Sequence, residues 1–446
     1  MQIHKKLLQL LSGKLQEDVI ALIKKTGKLL AIQAIAVLLL FLNNYLIVRY
    51  AGAHNYGTYV SIMTWISFFS VLSIFGMDDW LTALLPKYTH NPDDPTPIGM
   101  LRWSFKIISL VFPISGLLFY AAVHSGVIES VGSSTFWLVL GLVYGTTIMS
   151  LLVCFLLITN RLIISQVLDK LFRALIAILA LVIISFVSYR LDVTKLLSIQ
   201  LISVLSVAVL SIFVIRKNQR KPTQQATPAA FNKRLQPNFY FLVISLLNVL
   251  AVRLDLLMLT GSAPPQEIGY YNIAVRFADL IHYPVTVLNL MVPPLLSKMW
   301  HNAQKDEQYR IIRLTSGIGF IATGSILIVL SLFGSMVLSW FGGNFTDSYP
   351  VILIIGASHL LSALLGPMNI LFMVGGKEKV ALVCLGVQVA VTAVAAYFFI
   401  PAFRGYGAAI SLVIGNVTYM ITISLFFYKM EKVVITAFYI FGRGSK

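Results

Sequence analysis

Twelve long apolar segments, separated by short polar or glycine-containing loops, dominate the pattern of this chain. They cover residues 29–49, 58–77, 104–123, 136–158, 172–189, 196–215, 239–260, 270–296, 315–334, 349–373, 380–400 and 406–428. An α-helix needs about 20 apolar residues to cross the hydrocarbon core of a bilayer, and most of these segments are long enough. The fifth segment is shortened because Lys170 and Arg173 stand at its start. The pattern predicts an all-α polytopic membrane protein of about twelve transmembrane helices.

A polar stretch at residues 216–238, which carries six basic residues, divides the predicted helices into two sets of six. Its composition is that of a linker rather than of a folded domain. Ahead of the first helix, Leu8, Leu11 and Leu15 recur every three or four residues, which is typical of an amphipathic helix lying on a membrane surface. We therefore predict an amphipathic segment (1–28), an N-lobe (29–215), a cytoplasmic linker (216–238), a C-lobe (239–428) and a cytoplasmic tail (429–446).

A Gly-x-Tyr element occurs at the same place in each half of the chain. Gly57-Thr58-Tyr59 opens the second predicted helix of the N-lobe, and Gly269-Tyr270-Tyr271 opens the second predicted helix of the C-lobe. Because six helices separate the two copies, they cross the membrane in the same direction. This predicts two pseudo-symmetric six-helix bundles in parallel orientation, an arrangement in which transporters place the substrate path between the halves.

The basic residues are distributed unevenly between the two sides of the predicted helices. Of the 34 Lys and Arg residues, 28 fall on one side and 4 on the other, and Arg253 and Arg276 lie inside predicted helices. By the positive-inside rule, both termini are expected in the cytoplasm and the protein in the cell inner membrane. The net charge of +17 therefore belongs to a membrane-facing surface that attracts anionic lipid, and it does not indicate nucleic-acid binding.

The polar residues show none of the usual arrangements of an enzyme. No Ser-His-Asp grouping, glycine-rich phosphate loop or metal-ligand spacing stands out, and Cys154 and Cys384 both lie in apolar segments. We therefore expect neither an enzyme nor a metal or cofactor site. Four carboxylates near the inner end of the second helix, among them Asp78 and Asp79, are interpreted as a solvated acidic turn.

Several short motifs make the chain resemble the polysaccharide flippases of the multidrug/oligosaccharidyl-lipid/polysaccharide (MOP) exporter superfamily. They are Arg49-Tyr50-Ala51-Gly52, Tyr56-Gly57-Thr58-Tyr59, Arg253-Leu254-Asp255, Gly269-Tyr270-Tyr271-Asn272-Ile273-Ala274 and Pro293-Pro294-Leu295-Leu296. The resemblance implies transport of a lipid-linked oligosaccharide, typically on undecaprenyl diphosphate, from the inner to the outer leaflet by alternating access. It also implies contact with membrane lipids, potential contacts with other polysaccharide-assembly proteins, and function as a monomer.

The four charged residues of the first C-lobe hairpin are the main candidates for function. Arg253, Asp255, Arg276 and Asp279 all lie within roughly 15 Å of the predicted outer surface, at about 1.5 Å rise per residue. A charge in the membrane costs about 2.5–3.5 kcal/mol on insertion scales, so each should face protein or water. Either the two Asp residues neutralise the two Arg residues within the C-lobe, or at least one Arg binds the lipid diphosphate between the lobes. Arg49 is a third phosphate-binding candidate.

Three further expectations concern mechanism. Coupling to a gradient of H⁺ or Na⁺ would involve Asp255, Asp279, Asn248 or His282, and the residues do not distinguish the two ions. Pro284 and Pro367 interrupt predicted helices and are hinge candidates. The alternative function is an ion-coupled antiporter of small molecules or drugs with the same fold, resembling the MATE transporters. Such an antiporter would tend to have a more acidic cavity.

Overall fold

The computed structural model describes residues 13–85, 96–126, 132–159, 161–187, 191–217, 239–301, 305–366, 372 and 377–431. Within these ranges all regular structure is helical. Three predicted parts lie wholly or largely outside the described residues, namely the start of the amphipathic segment, most of the linker, and the tail beyond residue 431. The hinge candidate Pro367 also lies outside them.

The described helices follow the predicted segments in order. In the N-lobe they are α1 (Gly13–Ile74), α2 (Met77–Leu84), α3 (Thr96–His124), α4 (Ser133–Ile158), α5 (Leu162–Gln166), α6 (Arg173–Val187) and α7 (Val193–Lys217). In the C-lobe they are α8 (Phe239–Thr260), α9 (Pro265–His301), α10 (Lys305–Ser339), α11 (Tyr349–Leu365) and α12 (Glu378–Glu431). Among the described residues, eight helical stretches are long and apolar enough to cross a membrane. The predicted fold class is confirmed.

The two longest helices each contain two predicted membrane crossings joined by a bend. α1 has 62 residues, or about 93 Å at 1.5 Å per residue, which is far more than the roughly 30 Å hydrocarbon core. It bends at Gly52, whose φ of 79° is readily accessible to glycine. α12 bends at Arg404, whose φ is 47°. A single residue therefore reverses the chain at positions where the sequence pattern predicts loops.

The fifth predicted helix begins earlier than the sequence pattern indicates. α5 leads into a π-helical segment, Val167–Phe172, and then directly into α6. Lys170 and Arg173 do not end the helix, because both side chains line an internal cavity. A π-helical turn adds a residue to the helix, and such turns are frequent at functional sites.

The hydrophobic core that both lobes build together lies on one side of the molecule. We call the side of the predicted basic loops the inner side and the opposite side the outer side. One apolar cluster contains residues of both lobes, including Ile47 and Tyr56 of α1 with Tyr271 and Phe277 of α9. The inner halves have separate clusters, one built by the N-lobe with Phe241 of α8 packed against it, and one built by the C-lobe. The lobes are therefore packed together on the outer side.

The repeated Gly-x-Tyr elements form the centre of this outer contact. A Cβ atom at Gly57 would collide with the carbonyl oxygen of Pro265 at the start of α9. A Cβ at Gly269 would lie 3.2 Å from the carbonyl oxygen of Ala53 and 3.4 Å from Cα of Gly57. The two glycines thus allow α1 and α9 to approach backbone to backbone, which explains why the element recurs in both halves.

Candidate functional site: a cationic cavity between the lobes

A cavity of about 660 Å³ lies between the two lobes, inward of the outer contact. Its walls are formed mainly by α1, α4, the α5–α6 region and α7 of the N-lobe, together with α8 and α9 of the C-lobe. Along the part of α1 before its bend the cavity extends from Gln33 to Asn44, which is about 16 Å of helix, and along the part after the bend it extends from Tyr59 to Val71. Its uncharged polar lining residues are Gln33, Asn43, Asn44, Tyr59, Thr64, Ser67, Ser70, Thr146, Ser150, Gln200 and Asn272. Ligand pockets typically enclose about 300–1,000 Å³, so the cavity has the size of a small-molecule site.

Four basic residues and one acidic residue line the cavity. Lys170 and Arg173 come from the N-lobe, and Arg253 and Arg276 come from the C-lobe. The acidic residue is Asp169, on the same π-helical segment as Lys170. Because the membrane interior screens charge poorly, this excess of positive charge makes the cavity attractive to anions.

The two N-lobe cations contact polar side chains in and beside the π-helical segment. The Lys170 ammonium donates to Oε1 of Gln33 at 2.8 Å, and the Gln33 amide donates to Oε1 of Gln166 at 3.1 Å. Arg173 lies 3.8 Å from the Asp169 carboxylate. This long pairing leaves several donors of its guanidinium available, because arginine carries five N–H groups.

The two C-lobe cations, Arg253 and Arg276, have fewer polar contacts than the N-lobe cations. Arg276 lies 3.9 Å from Asp279, one helical turn further along α9, and its Nε is buried without a hydrogen-bond partner. Arg253 forms no hydrogen bond or ion pair with any residue that the structure describes. Arg276 thus has a carboxylate beside it, and both Arg residues line the cavity, while binding of a diphosphate by either stays a prediction.

Asp255 has a different environment from the cavity residues. Its carboxylate is buried at 2% exposure within the C-lobe, where Oδ2 accepts a hydrogen bond from the Tyr271 hydroxyl. Its Oδ1 has no partner among the described residues. Asn248, seven residues earlier on α8, is exposed. The structure therefore does not bring Asn248 and Asp255 together in one enclosed site.

The remaining candidate residues lie away from the cavity lining. Arg49 is exposed near the outer end of the first crossing and donates to the Tyr45 hydroxyl at 2.9 Å. The His282 ring packs against His359 of α11, with ring centroids 4.7 Å apart. α9 continues through Pro284, which lines an apolar groove of about 420 Å³ between α9 and α10. The described bends lie elsewhere, at Gly52 and Arg404.

A hydrogen-bonded chain crosses between the lobes at the outer end of the cavity. The Asn272 amide donates to the Tyr56 hydroxyl at 2.7 Å, and this hydroxyl donates to Oδ1 of Asn44 at 3.2 Å. The Phe41 and Phe277 rings meet beside it, with centroids 4.6 Å apart. These contacts close the cavity toward the outer side.

A smaller contact joins the lobes on the inner side and corrects the interpretation of Asp78 and Asp79 as a solvated turn. The Ser245 hydroxyl of α8 donates to the Asp79 carboxylate at 2.7 Å. Gly76, whose φ is 68°, allows close approach, because a Cβ there would lie 2.6 Å from the backbone nitrogen of Leu242. Burial, together with the neighbouring Asp79, raises the pKa of Asp78 to about 6. Asp79 is therefore part of an interlobe contact, and Asp78 lies largely buried beside it.

Lys170 and Arg173 are site residues that the sequence pattern did not predict. In the sequence pattern both belong to the inner-side charges, because a charge next to an apolar segment usually marks its end. The signal that could have identified them is the group Asp169-Lys170-x-x-Arg173, whose members repeat at helical spacing and so can share one face. Their inward orientation depends on the packing of α1 against the α5–α6 region, which a local pattern does not report.

Comparisons with known proteins agree with this architecture. Residues 22–300 match the polysaccharide biosynthesis protein family. No curated protein matches the sequence significantly.

Solved transporters share the fold at low sequence identity. An inward-facing multidrug resistance MATE family transporter of the MOP superfamily aligns with a TM-score of 0.67 at 11% identity, covering 89% of this chain and 95% of the other. The lipid II flippase MurJ, in an inward closed conformation, aligns with a TM-score of 0.61 at 14% identity, covering 90% of this chain and 87% of the other. A MOP superfamily transporter from Pyrococcus furiosus aligns with a TM-score of 0.62 at 12% identity, covering 91% of this chain and 93% of the other. The chain is thus a multi-pass membrane protein with the fold of the MOP transporters, and it belongs to the polysaccharide biosynthesis protein family.

Proposed function

We propose that this protein moves a lipid-linked oligosaccharide, carried on undecaprenyl diphosphate, from the inner to the outer leaflet of the cytoplasmic membrane for cell-surface polysaccharide synthesis. The lobes would alternate between access from each side, with both termini in the cytoplasm and one chain sufficient for transport. The observation that carries the proposal is the cavity that receives two basic side chains from each lobe.

The chemistry of these four residues suits a diphosphate. A guanidinium binds phosphate oxygens in pairs through its planar N–H groups, and an ammonium adds a compact positive charge. The two lobes face each other with like charges, so an anion placed between them relieves repulsion and attracts both. A diphosphate headgroup would therefore favour the approach of the lobes around it, while its isoprenoid chain remains in the bilayer.

The family assignment supports the same substrate class. Membership in a polysaccharide biosynthesis family fits a glycan, and the cavity of about 660 Å³ accommodates a diphosphate with its first sugars better than a whole polyprenyl lipid. The alternative, export of cationic drugs, is disfavoured because four basic residues line the cavity against one carboxylate. The transmembrane potential also assists the proposed direction, since moving one negative charge outward across an inside-negative membrane is favourable by about 2.3 kcal/mol per 100 mV.

The leaflet distribution of undecaprenyl-diphosphate-linked sugar in cells that lack this protein tests the proposal. We expect the lipid-linked sugar to accumulate on the inner leaflet and surface polymer to be lost. Unchanged lipid-linked sugar in both leaflets would overturn the flippase proposal and favour the antiporter.

Substitutions in the cavity test the role of its charges. Arg173→Ala, Arg253→Ala and Arg276→Ala should each weaken diphosphate binding by about tenfold or more, because a hydrogen bond to a charged group contributes about 1.5–3 kcal/mol. The matched control is Arg102→Ala, which removes an exposed arginine outside the cavity. Binding of the lipid-linked sugar to purified protein in nanodiscs provides the measurement. Equal affinities for the control and the three cavity variants would contradict the assigned site.

A further inference from the structure

A single hydroxyl group is held between two asparagine side chains at the outer end of the central cavity. The Tyr56 hydroxyl accepts a hydrogen bond from the Asn272 amide at 2.7 Å and donates one to Oδ1 of Asn44 at 3.2 Å. One amide therefore acts as donor and the other as acceptor, which is the complement of a hydroxyl group. Both asparagines line the cavity, whereas Tyr56 is fully buried outside its lining.

The Gly-x-Tyr element of the C-lobe creates this arrangement. Gly269 lies against the Tyr56 ring, since a Cβ there would be 3.1 Å from Cδ1 of that ring. Asn272 follows three residues later on α9, so it lies on the same side of the helix and reaches the Tyr56 hydroxyl. Asn44 reaches that hydroxyl from the part of α1 before the bend at Gly52. Three helical segments thus converge on one oxygen atom.

This hydroxyl position is next to the cations of the cavity. Arg276 is four residues after Asn272 on α9, which places the two side chains on one face, about 6 Å apart along the axis. Arg276 is also within electrostatic range of the Tyr56 hydroxyl. In a glycosylated diphosphate the first sugar is bonded directly to the terminal phosphate. A diphosphate at Arg276 therefore brings that sugar to the level of Asn272.

A further polar atom beside the two asparagines has no partner. Oδ1 of Asn43, which also lines the cavity, is buried without a hydrogen bond from any residue that the structure describes. Buried polar atoms are nearly always hydrogen-bonded, so this oxygen marks a place where a donor of a ligand can bind. A sugar ring carries hydroxyl groups on adjacent carbons, and it can therefore supply donors to Asn43 and Asn44 together.

We propose that Asn44 and Asn272 form a binding subsite for a hydroxyl group of the first sugar, at a position that the Tyr56 hydroxyl now occupies. The sugar hydroxyl displaces Tyr56, because it offers the same donor and acceptor and brings further hydroxyls to Asn43. Displacement removes the hydrogen bond by which Asn272 and Tyr56 join the lobes, so the glycan loosens the outer contact. A carrier lipid without a sugar leaves this contact intact. The inference rests on the proposed function, because the diphosphate delivers the sugar to the subsite.

Two diphosphate diesters of equal charge test the subsite. Farnesyl-diphospho-glucose and the farnesyl methyl diphosphate diester differ in the sugar alone, and their affinities for the full-length protein in nanodiscs are compared. We expect the wild type to bind the glucose diester about fivefold or more tightly, since one or two hydrogen bonds contribute this much. Asn272→Leu should lose the preference, and Tyr56→Phe should increase it, because the competing hydroxyl is gone. The control Asn248→Leu, which replaces an exposed amide outside the cavity lining, should retain it.

The outcomes separate this inference from the proposed function. Equal affinity of the wild type for the two diesters would overturn the sugar subsite and leave the proposed function standing. A Tyr56→Phe variant that loses the preference as Asn272→Leu does would also overturn the subsite, because the hydrogen-bonded chain would then only hold the lobes in place. Binding of neither diester would sink the proposed function and the subsite together.

Spin labels test the effect of the sugar on the outer contact. With Cys154 and Cys384 replaced by alanine, labels are attached through His54→Cys and Ser262→Cys, two exposed outer positions on different lobes. We expect the glucose diester to increase the separation between the labels and the methyl diester to leave it unchanged. In the Asn272→Leu background the two diesters should give the same distances. An unchanged distance distribution at saturating glucose diester would overturn the link between sugar binding and the outer contact.

Discussion

Asp255 and Asp279 are two aspartates on adjacent helices, yet they lie in opposite environments. Asp255 is buried and receives the Tyr271 hydroxyl, whereas Asp279 is half exposed beside Arg276. A buried carboxylate persists only if its oxygens are hydrogen-bonded or paired, so the Tyr271 contact matters for stability. Asp279 keeps access to water and can exchange partners. The two residues are thus suited to different roles, one in the C-lobe core and one at the cavity.

The Tyr271→Phe substitution tests the structural role of Asp255. Removing the hydroxyl leaves Oδ2 of Asp255 without its donor, which should destabilise the protein by about 1–3 kcal/mol and lower the Tm. Thermal unfolding in nanodiscs measures the effect. The control Asp279→Asn alters a half-exposed carboxylate and should change the Tm little. A Tyr271→Phe variant as stable as the wild type would show that this hydrogen bond does not stabilise the C-lobe.

Two helix contacts decide how the lobes meet. On the outer side, α1 and α9 approach through Gly57 and Gly269, and an apolar core surrounds them. On the inner side, α2 and α8 meet at Gly76 and through the Asp79–Ser245 hydrogen bond, and among the described residues Phe241 is the apolar side chain of α8 that packs against the inner N-lobe cluster. Because apolar burial is the larger contribution, the outer contact dominates in this conformation.

Gly57→Ala should weaken the outer contact selectively. The new methyl group would collide with the backbone of Pro265, which cannot move aside as a flexible side chain does. We expect a larger separation between spin labels placed through His54→Cys and Ser262→Cys, two exposed outer positions on different lobes. The control Gly132→Ala adds a methyl group where nothing lies within 4 Å. An unchanged distance distribution in Gly57→Ala would contradict the role of this contact.

At the scale of the whole molecule, basic residues and exposed apolar side chains occupy different parts of the protein. Basic residues concentrate on one face of the predicted membrane slab, which orients it, while four basic residues converge at the centre between the lobes. Large apolar side chains such as Leu38, Leu110 and Phe186 are exposed on the periphery. In a soluble protein such surface would cause association, whereas here it matches the hydrocarbon of the bilayer.

Cysteine accessibility tests the predicted orientation in the membrane. In a protein with Cys154 and Cys384 replaced by alanine, Gly126→Cys should react with an impermeant reagent in intact cells, because the exposed end of α3 is predicted to lie outside. Lys217→Cys, at the exposed end of α7, should react only in inside-out vesicles. The 28-to-4 distribution of basic residues is the reason for this expectation. Labelling of residue 217 in intact cells would show that the predicted topology is wrong and that this end of α7 lies outside.

The sequence alone determined the features that depend on local composition. The apolar segments predicted the membrane helices, because a helix in lipid must satisfy its own backbone and cover itself with apolar side chains. The charges on the loops predicted orientation, and the repeated Gly-x-Tyr element predicted two related halves.

Only the tertiary structure decided which polar side chains share a site. The contact between Lys170 and Gln33 joins residues 137 positions apart, and that between Asn272 and Tyr56 joins residues 216 positions apart. Such contacts depend on how each helix is rotated and on which helix packs beside it, and many arrangements satisfy the same hydropathy pattern. For this reason the sequence identified Arg253 and Arg276 as intramembrane charges, while packing determined that Lys170 and Arg173 face them across the cavity.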